Sequence, residues 1–196
     1  SYDSIKRNII EINNADVFYH TWTTNDKYID KAEHENRLRD LYNPINYKCE
    51  DQIIFSDDRS KTHQIKSRWY SHKQSISLLA NHERKNNFEY DWVFVTRFDC
   101  EYYRSIEFNT LNNKKFYISN WRYPHNIKGF LDYWFLSNSK NIKKYSLIYD
   151  KLNDQYIEDN KKSNHMIAKS YALESGFDLE YILNEHRDFK LSERNY

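Results

Sequence analysis

The chain has 196 residues, and its 30 basic and 29 acidic side chains give a formal net charge of +1 at pH 7. This balance lacks the basic excess that phosphate-driven nucleic-acid binding requires, so no nucleic-acid partner is expected. The mean hydropathy of -1.03 is low, yet 18 Tyr, 11 Phe and 5 Trp supply enough apolar surface for a folded core. The two glycines form neither a P-loop nor a Gly-rich dinucleotide motif.

Apolar spacing alternates along the chain between the helical period and the patterns typical of strands. In the first half it predicts helices over residues 4–14, 31–41 and 63–81, strands over 15–22 and 52–55, and polar loops over 23–30 and 57–62. In the second half it predicts strands over 91–101, 116–119, 131–136 and 180–183, and helices over 139–152 and 164–174. This order predicts a single-domain, Rossmann-like α/β/α sandwich with a mainly parallel central sheet and its ligand at the carboxyl ends of the strands.

Cysteine usage and hydropathy indicate the cellular compartment in which the protein is expected. Cys49 and Cys100 are expected to be free thiols in a reducing environment, with a single disulfide between them as the alternative. No apolar run approaches the roughly 18 residues that a membrane-spanning helix needs. We therefore expect a cytoplasmic protein without a transmembrane segment.

The strand over residues 91–101 ends on charged side chains. Arg97, Asp99 and Glu101 stand at every second position, which places them on one side of an extended chain. Neighbouring carboxylates repel each other unless a positive group lies between them, and a divalent cation that carries phosphates is one such group. Arg97 is expected either to contact a phosphate or ribose, or to form an ion pair with Asp99.

Three segments of the chain carry recognisable motifs: residues 16–22 (DVFYHTW), residues 67–78 (SRWYSHKQSISL) and residues 90–103 (YDWVFVTRFDCEYY). They resemble, in the same order, three motifs of a group of glycosyltransferases from bacterial surface-polysaccharide loci and large DNA viruses. A shorter segment, residues 132–136 (DYWFL), is similar to a later strand of the group. The resemblance implies the GT-A fold, a nucleotide-sugar donor with a UDP, GDP or dTDP moiety, a glycan acceptor, and Mn²⁺ or Mg²⁺ as cofactor.

The resemblance also implies roles for individual residues. Asp99 and Glu101 are the expected metal ligands in an Asp-x-Asp-like signature; if Arg97 takes its first position, Asp99 is the second. The donor is expected to contact Arg97 and Asp99, together with Tyr70, Ser71 and Lys73 on the long helix. A solvated helix face is the alternative for the last three. Trp121, Arg122, Tyr123 and His125 form either a sugar-stacking loop or a surface aromatic cluster.

The chain departs from the group at two places. The first strand of the group, with a turn of small residues that holds the nucleotide, is expected before Ser4 and is missing or removed. Asn164 and His165 replace a Pro-Glu pair, and His165 is a candidate metal ligand instead. Asp132 is the candidate catalytic base because it is predicted to open a strand near the same edge, although it could equally cap a turn.

Two other functions remain open from the sequence. The first is a metal-dependent nuclease or phosphotransferase that uses Asp99, Glu101 and a nearby lysine, against which the near-neutral charge weighs. The second is a non-catalytic module that binds nucleotide sugars or glycans. The leading expectation is a hexosyltransferase.

Overall fold

A computed structural model of the chain describes residues 1–23, 30–57, 60–123 and 125–192, with the backbone alone at residues 125 and 126. Two compact units are present: unit 1 comprises Ser1–Ala15, Glu89–Tyr145 and Ser163–Tyr196, and unit 2 comprises Asp16–Phe88 and Ser146–Lys162. The single-domain organisation stays a prediction. Most of the loop predicted over residues 23–30, and part of that over 57–62, lies outside the described residues. Among the described helices, none combines the length and apolar surface that a bilayer span requires.

The described elements confirm a mixed α/β chain. Its strands are β1 (Phe18–Trp22), β2 (Asn46–Glu50), β3 (Val93–Thr96), β4 (Cys100–Tyr102), β5 (Phe116–Asn120), β6 (Trp134–Ser137), β7 (Leu179–Asn184) and β8 (Phe189–Leu191). Its α-helices are α1 (Tyr2–Ile5), α2 (Lys31–Tyr42), α3 (Lys61–Asn86), α4 (His125–Lys128), α5 (Ser139–Ser146), α6 (Ile148–Lys151), α7 (Asp154–Asp159) and α8 (Asn164–Glu174). A π-helix (Lys6–Glu11) follows α1, and a 3₁₀ turn (Phe108–Thr110) follows β4.

Unit 1 contains a four-stranded mixed sheet with the order β3-β6-β5-β7. β6 pairs antiparallel with β3 and β5, and β5 pairs parallel with β7. The predicted mainly parallel sheet is therefore corrected to a mixed one. The apolar pattern of a buried strand is the same in both directions, so the reversed direction of β6 could not be recognised from it.

Aromatic packing on both faces of β5 and β6 forms the core of unit 1. All four residues of β6 are buried, as are the first four of β5. Phe116 on β5 stacks on Phe177 with ring centroids 4.7 Å apart, and Tyr145 of α5 packs 4.9 Å from both Phe116 and Phe135. Since each aromatic side chain buries a large area, this core forms despite the polar composition.

Unit 2 packs the long helix α3 against the parallel pair β1 and β2. The helix buries a stripe at alternating spacings of three and four residues: Ile65, Trp69, His72, Ile76, Leu79 and Glu83. The strand predicted over residues 52–55 is wrong, because residues 46–50 supply the partner of β1. Phe55 instead packs its ring 5.6 Å from Tyr70, so its apolar character reflects packing from a loop.

Asparagine replaces glycine at several turns of the chain. Asn43 ends α2 and Asn87 ends α3 in the left-handed conformation, with φ of 41° and 56°. Their amides donate to the carbonyls of Arg39 and Glu83 and satisfy the helix ends. Asparagine tolerates this backbone better than other residues with a side chain, so the scarcity of glycine does not prevent sharp helix endings.

His72 makes the stability of unit 2 sensitive to acid. Burial, followed by the positive charge of Arg68, lowers the pKa of His72 from 6.5 to about 3. The unfolded chain therefore binds a proton between these pH values that the folded chain does not, and stability is lost as pH falls from 6.5 toward 3. The free energy of unfolding is expected to fall between pH 7.5 and 5. This fall should be about 2 kcal/mol smaller in His72→Leu than in the wild type. Urea unfolding at both pH values measures this, and an unchanged loss in the variant would contradict it.

Candidate functional site

Strand directions in unit 1 bring charged and aromatic side chains to one edge of the four-stranded sheet. β3, β5 and β7 run in the same direction, so this edge holds their carboxyl ends and the amino end of β6. The residues placed there, which we call the edge cluster, are Arg97 after β3, Trp121 after β5, Asp132 and Tyr133 before β6, and Glu185 after β7. Ligands of open α/β sheets bind at edges of this kind.

Arg97 and Asp99 form a bidentate ion pair in the turn after β3. The chain turns here because the Cys100 amide donates to the Arg97 carbonyl at 3.2 Å. Arg97 Nε and Nη2 donate to Asp99 Oδ1 and Oδ2 at 2.8 and 2.6 Å, and both side chains are 25% exposed. Burial opposes the charge of Arg97, but its hydrogen bond and ion pair with Asp99, and the charge of Asp132, raise its pKa overall. The guanidinium is thus held charged and oriented at the edge.

This turn corrects the extended strand predicted over residues 91–101. β3 ends at Thr96, and β4 is a separate strand that pairs antiparallel with β8. The prediction that Arg97, Asp99 and Glu101 share one side of an extended chain is wrong, because a turn interrupts the alternation of side chains. Glu101 lies opposite Lys190 on β8, with 3.7 Å between Oε2 and Nζ.

Asp132 and His165 meet where α8 begins. Asp132 lies in the turn before β6 and does not open the strand as predicted. Its Oδ1 is 2.7 Å from Nδ1 of His165, and the two side chains are 4% and 26% exposed. The two atoms are close, but Nδ1 has no partner in hydrogen-bond geometry among the described residues. The Phe130 amide donates to the His165 carbonyl at 2.9 Å and ties this turn to the helix.

Tyr133 lies among the charged members of the edge cluster. The guanidinium carbon of Arg97 is 5.4 Å from the centre of its ring, and the His165 ring is 5.9 Å away. Burial, followed by the negative charges of Asp132 and Glu185, raises the pKa of Tyr133 to about 12. The phenol therefore stays protonated at neutral pH and is available as a donor to a ligand oxygen.

An aromatic segment borders the edge cluster after β5. The Trp121 ring lies 4.9 Å from His165 and 5.3 Å from Tyr123, in edge-on geometry in both cases. The guanidinium of Arg122 lies 4.8 Å from the centre of the Tyr123 ring. The sugar-stacking loop stays a prediction for these residues, and the side chain of His125 lies outside the described part of the chain.

The three predicted metal ligands each face a different side chain. Within the described ranges, no group of three or more His, Cys, Asp or Glu side chains is arranged to hold an ion. Magnesium is commonly held by one or two carboxylates together with substrate phosphates, and Asp99, with a quarter of its side chain exposed, fits such a site. Metal binding by Asp99, Glu101 and His165 stays a prediction.

The predicted donor-binding residues of α3 lie in unit 2. Tyr70 stacks on Trp22 at 5.3 Å with ring planes inclined by 15°, and its phenol is hydrogen-bonded to Glu50. Lys73 forms an ion pair with Asp150 of α6. Donor binding by Tyr70, Ser71 and Lys73 stays a prediction.

A buried histidine connects Ser71 to Glu50. His20 Nδ1 is 2.8 Å from Ser71 Oγ and its Nε2 is 2.9 Å from Glu50 Oε1, with the ring fully buried. Burial lowers the pKa of His20, and Glu50 only partly offsets this. Ser71 lies inside α3, whose helical bonding occupies the backbone amides that an oxyanion would need. We therefore interpret this chain of bonds as a satisfied core histidine and not as a nucleophilic triad.

Sequence reasoning did not identify Glu185. The polar residues Asn184, Glu185 and His186 directly follow the predicted strand over 180–183. Their position at the carboxyl end of a strand was the signal that could have identified them.

Comparison with protein-family models gave no match for this chain, and comparison with curated proteins gave none either. The assignment of a function therefore depends on the residues of the site.

Proposed function

We propose that the protein is a glycosyltransferase that transfers a hexosyl group from a nucleotide-diphosphate sugar to a hydroxyl of a glycan. The observation that carries this proposal is the edge cluster, in which one sheet edge holds an oriented guanidinium, two carboxylates, a phenol donor and the Trp121 ring. A phosphate and a sugar need these groups: a cation for the first, and hydrogen-bonding and aromatic side chains for the second. The resemblance of residues 16–22, 67–78 and 90–103 supports the same reaction.

Arg97 has the clearest role in the proposed reaction. When the bond between the anomeric carbon and the diphosphate breaks, negative charge develops on the departing phosphate oxygens. Arg97, charged and oriented by Asp99, donates to these oxygens. A Mg²⁺ or Mn²⁺ ion held through Asp99 would act there as a Lewis acid.

Asp132 has a second role besides that of the predicted base. Its carboxylate lies 2.7 Å from the His165 ring and acts on the charge of Arg97. We infer that it holds the imidazole in place at the start of α8. As the proton acceptor, Asp132 stays a prediction.

A non-catalytic nucleotide-sugar or glycan-binding module is the second candidate. The pairing of both Asp99 oxygens with Arg97 favours it, because these oxygens must change partners before they hold an ion. Such a module would bind a donor or a glycan without cleaving the donor.

Titration of the protein with UDP-, GDP- and dTDP-sugars, with and without Mn²⁺, tests the proposal. Calorimetry measures binding, and release of the free nucleotide measures transfer or hydrolysis. We expect one donor class to bind in a Mn²⁺-dependent manner and to be turned over, and Asp99→Ala to lose both properties. Asp91→Ala, at an exposed residue just before β3, is the matched control. Binding without turnover would favour the module, and absence of binding by every donor would refute the glycosyltransferase.

A further inference from the structure

Glu185 is positioned at the edge cluster by an irregular end of β7. The register between β5 and β7 shifts between Ser119 and Asn120, and Leu183 has a φ of +54°. A left-handed backbone is unfavourable for leucine by roughly 1–2 kcal/mol, and bulges of this kind redirect the side chains that follow them. The Glu185 amide donates to the Asn120 carbonyl at 3.1 Å, which holds the residue at the end of the parallel pair.

The Glu185 carboxylate is buried and lacks a partner for one oxygen. Its side chain is 10% exposed, and Oε2 has no hydrogen-bond partner among the described residues. Nε2 of His186, on a ring that is more than half exposed, lies 3.7 Å from this oxygen, beyond hydrogen-bond distance. An unsatisfied buried acceptor is unfavourable by about 1–3 kcal/mol, and more for a charged one, and a donor from a ligand at this edge would satisfy it.

The other carboxylates of the site already have partners. Both oxygens of Asp99 accept from Arg97, and Asp132 lies against His165. Glu185 follows β7 at the same sheet edge, and its negative charge, like that of Asp132, contributes to the raised pKa of the Tyr133 phenol. Among these carboxylates, Glu185 is therefore the one with an oxygen that has no hydrogen-bond partner among the described residues.

We propose that Glu185 accepts the proton of the attacking hydroxyl in a single-displacement sugar transfer; this rests on the proposed function. The acceptor O–H bond breaks and its proton moves to Glu185 as the acceptor oxygen bonds to the anomeric carbon. The bond from that carbon to the diphosphate breaks, and its electron pair leaves with the nucleotide. The configuration at the anomeric carbon is inverted. In this reaction Glu185 takes the role of base that the sequence predicted for Asp132, and Asp132 and Tyr133 act as positioning residues.

Glu185→Gln and Glu185→Asp test this role in the full chain. Gln keeps the acceptor oxygen but cannot take the proton, so kcat is expected to fall by about 100-fold or more with KM for the donor nearly unchanged. Asp shortens the side chain but keeps the base, so we expect it to recover a measurable part of kcat. Glu180→Gln, at an exposed residue of β7, is the matched control and should behave as the wild type.

The outcomes separate this inference from the proposed function. If the wild type transfers sugar and Glu185→Gln keeps its kcat within about threefold, Glu185 is not the base while the glycosyltransferase stands. A product that retains the anomeric configuration, read from its NMR coupling constant, overturns the inference in the same way. If no nucleotide sugar binds to the wild type, the proposed function fails and this inference fails with it.

Discussion

Asp99→Asn is expected to lower the rate of the proposed sugar transfer by about 1,000-fold, which corresponds to about 4 kcal/mol of transition-state stabilisation. Asparagine has nearly the same shape but lacks the charge, and it replaces one of the two carboxylate oxygens by a donor that faces the Arg97 donors. Arg97 then loses the bidentate pair that orients it, at 2.8 and 2.6 Å, toward the departing phosphate. An ion at Asp99 would lose its carboxylate as well.

The fold should tolerate this substitution. The side chains of Arg97 and Asp99 are each a quarter exposed, so solvent screens their ion pair. We therefore expect Asp99→Asn to lower the free energy of unfolding by only about 1 kcal/mol. Asp91→Asn is the matched control because Asp91 is exposed just before β3. Steady-state kinetics and thermal unfolding of the three proteins separate the two effects. Transfer by Asp99→Asn within threefold of the wild type would exclude Asp99 from the site.

Helices could be predicted from the sequence where one apolar stripe repeats with the helical period. The prediction over residues 164–174 coincides with α8, and that over 63–81 lies within α3. The helix predicted over 139–152 is instead divided into α5 and α6, separated at Leu147. Periodicity shows which face is buried and does not show where a helix is interrupted.

The positions of the candidate site residues in the fold were more predictable than their contacts. The ends of the strands pointed to Arg97, Asp99 and Asp132, and the structure places all three at or beside one sheet edge. The contact of Asp132 with His165 joins residues 33 positions apart and depends on how closely a turn approaches a helix. The pairing of Glu101 with Lys190 depends on the partner of β4, and a sequence of short strands does not specify strand partners.

Gly129→Ala is expected to destabilise the protein by about 3 kcal/mol, because glycine here permits a close approach of two backbones. A Cβ at Gly129 would lie 2.2 Å from the His165 carbonyl oxygen and 2.6 Å from the Met166 amide nitrogen, and its φ is +88°. The start of α8 would have to move away, which lengthens the 2.9 Å hydrogen bond from Phe130 to His165. The His165 ring would then move away from Asp132.

Gly176→Ala isolates the backbone part of this effect. Gly176 also has a left-handed φ, of +68°, but a Cβ there would meet nothing within 4 Å. We expect Gly176→Ala to lower the free energy of unfolding by about 1 kcal/mol, from backbone strain alone. For a chain of this size the midpoints of thermal unfolding should fall by roughly 2–4 °C in Gly176→Ala and by roughly 6–12 °C in Gly129→Ala. Equal shifts would mean that α8 moves aside freely, and that the contact between Asp132 and His165 does not depend on a fixed turn.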